Sequence, residues 1–337
     1  MGDKSRKQAA AGERAADVQG RFHMDGLSVY RPGLTVPIAD VIKDAEQCGY
    51  PFKENEAHYR KMGFETVSVE RRLSLEEMAE RALEPIAERC MQEGIELGEI
   101  WFAHTSKVAW HESNLFKTML RRWRWEQVPL YPVEEHSCST FHWVLRMAGH
   151  QFACDPYKAV LFVTADLGIH PFYYIDDFMI CGDSASACLF RREHGDHRTL
   201  VVKYKAAGTV YDDDPSRLRQ FHAMYYLGIR KIMLETLGEA GFTLSDIRLV
   251  VCGNINRQAW ETVAGALRVP PEMFYYATMR ETGHITNSDI PSNLQHALSG
   301  GALRPGDYYL TVTVSMAGTF GCALHQYVPA NRKEGKS

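Results

Sequence analysis

Residues 75–105, LEEMAERALEPIAERCMQEGIELGEIWFAHT, contain the pattern that decides the fold. Apolar residues recur at helical spacing from Leu75 to Cys90, and Gly94 ends the helix that this spacing predicts. The apolar segment 101–105 follows directly and predicts a strand. Strands that alternate with helices are typical of parallel βαβ units, because two parallel strands need a crossover connection.

The second half of the chain repeats this order. Residues 223–240 have a helical pattern that ends at Gly241, and a strand is predicted at 248–252. The segments that precede the two strands, 97–100 and 244–247, match at an offset of 147 residues (244 − 97). Each half continues with an amphipathic helix, a Val-Pro pair and two further strands, at 159–164 and 182–190 in the first half and at 308–313 and 318–324 in the second.

Two related halves of this kind predict an α/β protein with internal pseudo-symmetry. We predict an amino-terminal half at 21–195 and a carboxyl-terminal half at 196–330. The polar segments 1–20 and 331–337 are predicted to be loose tails, the first of them disordered. The alternative is a pair of unrelated α/β domains that share common sequence patterns.

The composition disfavours two classes of function. Hydrophobic residues make up 45% and charged residues 24% of the 337 residues, which is typical of a globular protein. The net charge is −4, whereas a general nucleic-acid binder carries a basic surplus. The longest strongly apolar run, 159–163, is far shorter than the roughly 18–20 residues that a membrane span requires.

The eight cysteines include no Cys-x-x-Cys pair, and the first 20 residues lack the apolar core of a signal peptide. We therefore expect a cytoplasmic protein with reduced thiols, most of them small buried apolar side chains. His136, Cys138 and His142 fit no common zinc-ligand spacing, so we predict no metal site.

Four segments in order resemble the thiolase superfamily, most closely its β-ketoacyl-acyl carrier protein synthase III branch. SCSTF at 137–141 resembles the Ala-Cys-Ser-Gly-Phe nucleophile turn, and GDSASA at 182–187 resembles Gly-Asp-Gly-Ala-Gly-Ala. Residues 260–272 resemble the helix and Leu-x-Leu-Pro-Pro-Glu of the family, and 282–291 resemble Gly-Asn-Thr-Ser-x-x-Ser-Ile-Pro. The resemblance covers 73–327 and implies the thiolase fold, in which duplicated βαβ halves form a layered α-β-α-β-α body.

The resemblance identifies Cys138 as the nucleophile. Phe141, Val144, Leu145 and Ala148 follow it at helical spacing, so Cys138 stands at the start of a helix. A helix start has unpaired N–H groups and a partial positive charge, which favour a thiolate over a thiol. A thiolate attacks a thioester readily and also leaves readily, as an acyl-enzyme requires.

The two partner positions of the family are exchanged in this chain. The synthase branch has His in the loop after the strand at 248–252 and Asn in the later loop; here the first loop contains Asn254 and Asn256, and the later one has His284. Thiolases themselves have this exchanged arrangement. His284 is therefore predicted as a proton carrier and oxyanion donor, and Asn254 as a second donor. Asn256 stays an alternative, and either Asn could instead cap the following helix.

The loop at 313–318 indicates which type of reaction the protein catalyses. Thiolases have a second cysteine there as acid/base, whereas this loop has none. A thiolase reaction is therefore the least expected, and decarboxylative condensation or acyl transfer to an alcohol or amine remain. The synthase branch has a glycine-rich oxyanion loop at this place, and here the amides of Ser315 or Met316 are candidates to replace it.

Basic residues suggest a docking surface for the acyl donor. Arg121, Arg122 and Arg124 alternate with two tryptophans, and Arg257 matches a carrier-docking position of the family. An acidic carrier protein or the phosphates of coenzyme A would be attracted there. The alternative is a solvated helix face with ordinary ion pairs. Glu134, Glu135 and His136 precede the nucleophile, and one of them could face the site as a base.

We therefore expect an acyltransferase, in specialised metabolism, that loads an acyl group from a coenzyme A or carrier-protein thioester onto Cys138. Condensation and O-, N- or C-acyl transfer both remain open. The thioester is a substrate and no cofactor is expected. The family implies a homodimer, with a heterodimer as the alternative. The competing functions are a catalytically silent partner subunit and a thioester hydrolase.

Overall fold

The fold is taken from a computed structural model of the chain, which describes residues 22–105, 115–134, 136–168, 174–175, 178–206 and 214–329. The two predicted tails and Glu135 lie outside the described residues. In the part of the chain that is described, no helix is both long enough and apolar enough to span a membrane.

Ten strands form one sheet, in the order β12-β11-β13-β14-β10-β1-β9-β6-β4-β5, and two small two-stranded sheets, β2-β3 and β7-β8, lie outside it. The strands are β1 (Phe22–Tyr30), β2 (Leu34–Pro37), β3 (Thr66–Val69), β4 (Leu97–Ala103), β5 (Leu130–Val133), β6 (Ala159–Asp166), β7 (Tyr174–Ile175), β8 (Met179–Ile180), β9 (Ser184–Arg191), β10 (His197–Ala206), β11 (Leu249–Cys252), β12 (Phe274–Tyr275), β13 (Tyr308–Val314) and β14 (Thr319–Tyr327).

The described α-helices connect and cover these strands. They are α1 (Ile38–Gln47), α2 (Glu56–Met62), α3 (Leu75–Glu93), α4 (Leu115–Arg122), α5 (Thr140–Cys154), α6 (Pro215–Ala240), α7 (Arg257–Leu267), α8 (Met279–Thr282) and α9 (Asp289–Ser299). Helix α3 begins with a capping box formed by Ser74 and Glu77 and ends at Gly94, whose φ of 65° is a left-handed conformation that favours glycine.

The sheet consists of two halves with the same pairing pattern. In the amino-terminal half, β5, β4 and β6 are parallel neighbours, and β9 and β1 continue the half as antiparallel strands. In the carboxyl-terminal half, β12, β11 and β13 are parallel, and β14 and β10 are antiparallel. A short β1–β10 pairing joins the halves. The internal duplication predicted from the sequence is therefore present in the topology.

Three apolar clusters show how the layers pack. One lies between α3, α4 and the amino-terminal half of the sheet, and a second lies between α6, α7 and the carboxyl-terminal half. The third joins α5 and α9 to strands of both halves. Helices α5 and α9 therefore form a central layer between the two halves of the sheet. The layered α-β-α-β-α arrangement predicted from the family resemblance is confirmed.

Candidate active site

The turn that contains Cys138 ends at the central layer. Residues Ser137–Ser139 form a single 3₁₀ turn that runs directly into α5, so Cys138 stands at the start of a helical segment, as predicted. Ser137 has a φ of 48°, which is left-handed and uncommon for a residue with a side chain. The hydroxyl of Thr140 donates to the carbonyl of Ser137 at 2.7 Å and stabilises this sharp entry. The Cys138 side chain is 7% exposed, so its sulfur lies inside the protein.

His284 is the hydrogen-bond partner of the nucleophile. Its Nε2 lies 3.0 Å from the sulfur of Cys138. The backbone on both sides holds the ring in place: the His284 N–H donates to the carbonyl of Ile180 at 2.8 Å, and its carbonyl accepts from the N–H of Gly182 at 2.9 Å. Gly283 precedes it with a φ of 71°, and a Cβ there would meet the Ile180 carbonyl at 2.8 Å. The structure therefore joins Cys138 and His284, as predicted.

Asp289 completes a chain of three polar side chains. Its Oδ2 lies 2.6 Å from Nδ1 of His284 and accepts the N–H of Asn254 at 2.7 Å, while its Oδ1 accepts the N–H of Ile285 at 2.8 Å. Asp289 is the first residue of α9 and is fully buried. Cysteine, histidine and aspartate therefore stand in the order of a catalytic triad.

Sequence reasoning missed Asp289, although one signal was present. In the family segment Gly-Asn-Thr-Ser-x-x-Ser-Ile-Pro, the second Ser corresponds to Asp289 here. Asp289 therefore places a carboxylate where the family has a hydroxyl, five residues after His284. A carboxylate can hold the ring of a histidine base by accepting its Nδ1–H. The two departures from the family, at 284 and 289, therefore form one hydrogen-bonded pair.

The electrostatics favour a charged His284. Its burial, with 1% of the residue exposed, acts to lower the pKa, but Asp289 and Cys138 act in the opposite direction. The pKa of His284 is raised well above its ordinary value of 6.5 by these two negative partners. At neutral pH the ring is therefore an imidazolium between a carboxylate and the sulfur of Cys138.

Asn254 is hydrogen-bonded to the residues that hold His284. Its carboxamide nitrogen donates to the carbonyl of Gly283 at 3.0 Å, and its oxygen accepts from Asn293 at 2.7 Å. Its backbone N–H donates to Asp289. These bonds engage both the oxygen and the nitrogen of the carboxamide within the protein. Asn254 therefore supports the loop that contains His284, and its role as a second oxyanion donor stays a prediction.

Asn256 caps a helix, which was the alternative role considered for it. Its Oδ1 accepts the N–H of Ala259 at 2.7 Å, which caps α7, and its Nδ2 donates to the carbonyl of Phe178 at 3.2 Å. Both polar ends of the buried side chain are used within the protein. A role for Asn256 at the reacting carbonyl has no support in this geometry.

The loop between β13 and β14 contains the two backbone amides, of Ser315 and Met316, that were predicted as oxyanion donors. The N–H of Ser315 donates to the carbonyl of Thr319 at 2.9 Å, so the amide of Ser315 is already used within the loop. The hydroxyl of Thr319 in turn contacts the hydroxyl of Ser139, next to the nucleophile. The loop therefore lies against the Cys138 turn, and the amide of Met316 stays the predicted backbone donor.

Among the described residues, no group of three or more His, Cys, Asp or Glu side chains is arranged to hold a metal ion. His142 is buried, and its ring nitrogens contact the hydroxyls of Thr313 at 2.6 Å and Thr311 at 2.9 Å. Burial lowers the pKa of His142 to about 3, so this histidine is neutral.

Glu134, one of the residues considered as a base, pairs with His104 at 3.4 Å.

Comparison with known proteins extends the family resemblance. Residues 237–327 match the family described as 3-Oxoacyl-[acyl-carrier-protein (ACP)] synthase III C terminal. A β-ketoacyl-[acyl-carrier-protein] synthase III from Rhizorhabdus wittichii is 25% identical over 165 residues, which cover 44% of this chain and 51% of the relative. One from Roseiflexus sp. is 26% identical over 215 residues, which cover 56% and 64%. The chain thus spans about half to two thirds of the length of these curated relatives.

A solved structure shows the same fold. The acyltransferase ChlB3 superposes with a TM-score of 0.78 at 21% identity, over 91% of this chain and 98% of ChlB3. In sequence the chain is similar to β-ketoacyl-acyl carrier protein synthase III proteins over part of its length. At this identity the structural likeness concerns the fold, and the chemistry rests on the geometry of the site.

The predicted basic residues lie in two places. Arg122 pairs with Glu80 at 2.7 Å and Glu84 at 2.6 Å, and Arg121 and Arg124 are exposed beside it. The positive charge of Arg122 is therefore largely neutralised by α3. Arg257 is exposed at the first position of α7, directly after the Asn254–Asn256 loop. Arg257 therefore lies closer in the sequence to Asn254, which supports the His284 loop, than Arg121, Arg122 and Arg124 do.

Proposed function

We propose that this protein is an acyltransferase that forms an acyl-enzyme on Cys138 and passes the acyl group to a hydroxyl or amine. The observation that carries the proposal is the buried sequence of contacts from Cys138 to His284, at 3.0 Å, and on to Asp289, at 2.6 Å. This arrangement supplies a nucleophile, a proton carrier and a group that fixes the ring of the carrier.

The first half-reaction is thioester exchange. The thiolate of Cys138 attacks the thioester carbonyl of a coenzyme A or carrier-protein donor, and the carbon–sulfur bond to the donor breaks. The leaving thiolate takes the proton from Nε2 of His284. This step requires His284 to be protonated at the start, which its raised pKa provides.

The second half-reaction returns the proton. The acceptor O–H or N–H gives its proton to Nε2 of the neutral His284, and the oxygen or nitrogen attacks the acyl carbon. The bond to the sulfur of Cys138 breaks, and the thiolate–imidazolium pair is restored. Asp289 accepts the Nδ1–H throughout, which keeps Nε2 directed at the sulfur.

The position of Asn254 favours transfer over condensation. An enolate generated by decarboxylation needs donors on its oxygen, and the predicted pair was His284 with Asn254. The Asn254 carboxamide is hydrogen-bonded to Gly283 and Asn293, and this engagement within the protein supports transfer. The name of ChlB3, an acyltransferase, agrees with transfer. Decarboxylative condensation is the second candidate, because residues 237–327 match the carboxyl-terminal part of a synthase family.

The partners follow from the same chemistry. The donor is an acyl-coenzyme A or an acyl carrier protein, and the second of these stands in the names of the curated relatives. We retain the homodimer as part of the proposal.

The test is intact-protein mass after incubation with a set of acyl-coenzyme A and acyl-carrier donors. We expect a single acyl adduct on the wild type that is absent in Cys138→Ala and present in the matched control Cys154→Ala, which lies on the surface. Adding alcohols and amines should then remove the adduct and give an ester or an amide. Release by malonyl donors with loss of CO₂ would establish condensation, release by water would establish a hydrolase, and no adduct with any donor would leave the silent-subunit alternative.

A further inference from the structure

The hydroxyl of Tyr225 is buried without a hydrogen-bond partner among the described residues. Tyr225 lies on α6, and 1% of the residue is exposed. A buried polar atom that stays unpaired destabilises the folded protein, so such atoms are rare and each one calls for an explanation.

The ring of Tyr225 lies between the two segments that hold the catalytic pair. On one side its centroid is 6.2 Å from that of Phe320, which follows Thr319 and its contact to the nucleophile turn. On the other side it is 5.8 Å from Phe178, edge to face. Phe178 comes two residues before Ile180, whose carbonyl accepts the N–H of His284. Tyr225 thus packs against one residue of each of the two segments that hold the catalytic pair.

The charge on the nucleophile acts on this hydroxyl. The pKa of Tyr225 is raised well above its ordinary value of 10.0, first by burial and then by the negative charge of Cys138, with a contribution from Tyr226. The hydroxyl therefore stays protonated at physiological pH and is a hydrogen-bond donor. The electrostatic influence of Cys138 also agrees with the position that the ring contacts give.

Two other roles for the hydroxyl fit the geometry less well. The sulfur of Cys138 contacts Ser137 at 3.5 Å and His284 at 3.0 Å, and the Tyr225 hydroxyl makes no hydrogen bond to it. A contact with the entering pantetheine arm would place the residue at the border with solvent, whereas Tyr225 is buried.

We propose that Tyr225 determines acyl specificity: its hydroxyl hydrogen-bonds an oxygen substituent on the acyl chain held by Cys138, so the preferred donors are hydroxyacyl or oxoacyl thioesters. This inference rests on the proposed function and names its substrate class. An unsubstituted chain would leave the hydroxyl desolvated and unpaired, and a site built to pair with a substrate oxygen discriminates against an analogue that lacks it. The aromatic rings of Phe178, Phe221 and Phe320 around Tyr225 suit a compact or planar acyl group.

The test compares acylation of Cys138 by matched donor pairs in the full-length protein. The coenzyme A thioesters are butyryl against β-hydroxybutyryl and acetoacetyl, and benzoyl against para-hydroxybenzoyl. We expect the wild type to react at least about tenfold faster, in kcat/KM, with an oxygenated member of one pair. Tyr225→Phe should lose this preference, and Tyr226→Phe, the neighbouring partly buried tyrosine, should keep it.

Three results would overturn the proposal: no preference in any pair, a preference that survives in Tyr225→Phe, or an equal loss of rate with every donor in that variant. Stability gives an independent check, since removing an unpaired buried hydroxyl should leave the midpoint of thermal unfolding unchanged or higher. A clear loss of stability would mean that the hydroxyl has a partner within the protein and would also refute it. If no donor acylates the wild type, the proposed function itself fails, which is a distinguishable outcome.

Discussion

The Nδ1 of His284 lies 2.6 Å from Oδ2 of Asp289, and this contact fixes which nitrogen of the ring faces the nucleophile. With a carboxylate on one side, Nδ1 keeps its hydrogen and Nε2 is left to exchange a proton with Cys138, 3.0 Å away. The carboxylate is held in turn by the backbone N–H groups of Asn254 and Ile285. The base is therefore positioned by two loops that meet at a single side chain.

The first prediction concerns Asp289→Asn. The carboxamide would present an N–H to Nδ1, which then carries no hydrogen, and Nε2 would become a donor unable to accept a proton. We expect acyl transfer from Cys138 to fall about 10²–10⁴-fold, measured as the single-turnover loss of the acyl adduct. Asp307→Asn is the matched control, because Asp307 caps a surface turn through the N–H of Arg304. Equal transfer rates in the two variants would remove Asp289 from the mechanism.

The second prediction concerns the pH dependence of Cys138 alkylation. Because the pKa of His284 is raised, the ring keeps its proton as the pH rises through the ordinary histidine value, and its charge favours the thiolate over that interval. The rate with iodoacetamide should vary little between about pH 6 and about pH 8. In His284→Ala it should be lower and should rise with pH, because the imidazolium that favours the thiolate is absent. His150→Ala, exposed on α5, serves as the control, and identical profiles in all three proteins would contradict the ion pair.

The third prediction separates the two roles considered for Asn254. As a support of the His284 loop, its removal in Asn254→Ala leaves polar groups of Gly283 and Asn293 unpaired in the interior. The free energy of unfolding should then fall by about 1–3 kcal/mol, measured by urea denaturation, and both half-reactions should slow together. Because the two asparagines share a hydrogen bond, the double variant Asn254→Ala/Asn293→Ala should lose less than the sum of the single losses. Unchanged stability with slower acylation alone would instead favour the oxyanion role.

The fourth prediction concerns donor docking at Arg257. This side chain is exposed at the start of α7, so reversing its charge should repel an acidic carrier protein without altering the catalytic residues. In Arg257→Glu the KM for an acyl carrier protein should rise about tenfold while kcat is retained. The difference should shrink at high salt, as for a solvent-exposed charge contact. Arg122→Ala is the comparison, and a larger effect there would place the docking surface on α4.

The fold could be predicted where one local pattern determines an element. The helix predicted from Leu75 to the residue before Gly94 is found as α3 (Leu75–Glu93), because its apolar spacing and both of its end signals are local. Strand β1 was not predicted, since Asp25 and Gly26 interrupt its apolar pattern. In the folded protein Asp25 pairs with Arg89 at 2.6 Å and Arg191 at 3.0 Å, and the strand has a register shift there. Those partners are distant in sequence and leave no local signal.

The site could be predicted in part for the same reason. Cys138 and His284 stand in short motifs, and the resemblance located both. The direction of the Asn254 carboxamide depends on Asn293, 39 residues away, and the use of the Ser315 amide depends on the pairing of a hairpin. Residue type and spacing say which groups are present, whereas tertiary contacts decide which of them are still free to bind a substrate.

The separation of the nucleophile from its base has a consequence for biosynthesis. Cys138 and His284 are 146 residues apart and belong to different halves of the duplicated fold. A nascent chain that has not yet reached Asp289 carries the cysteine without the groups that activate it, so it cannot capture acyl groups from the cell's thioester pool through this mechanism. Activation thereby coincides with completion of folding, and the rate of Cys138 labelling during refolding would report when the two halves have joined.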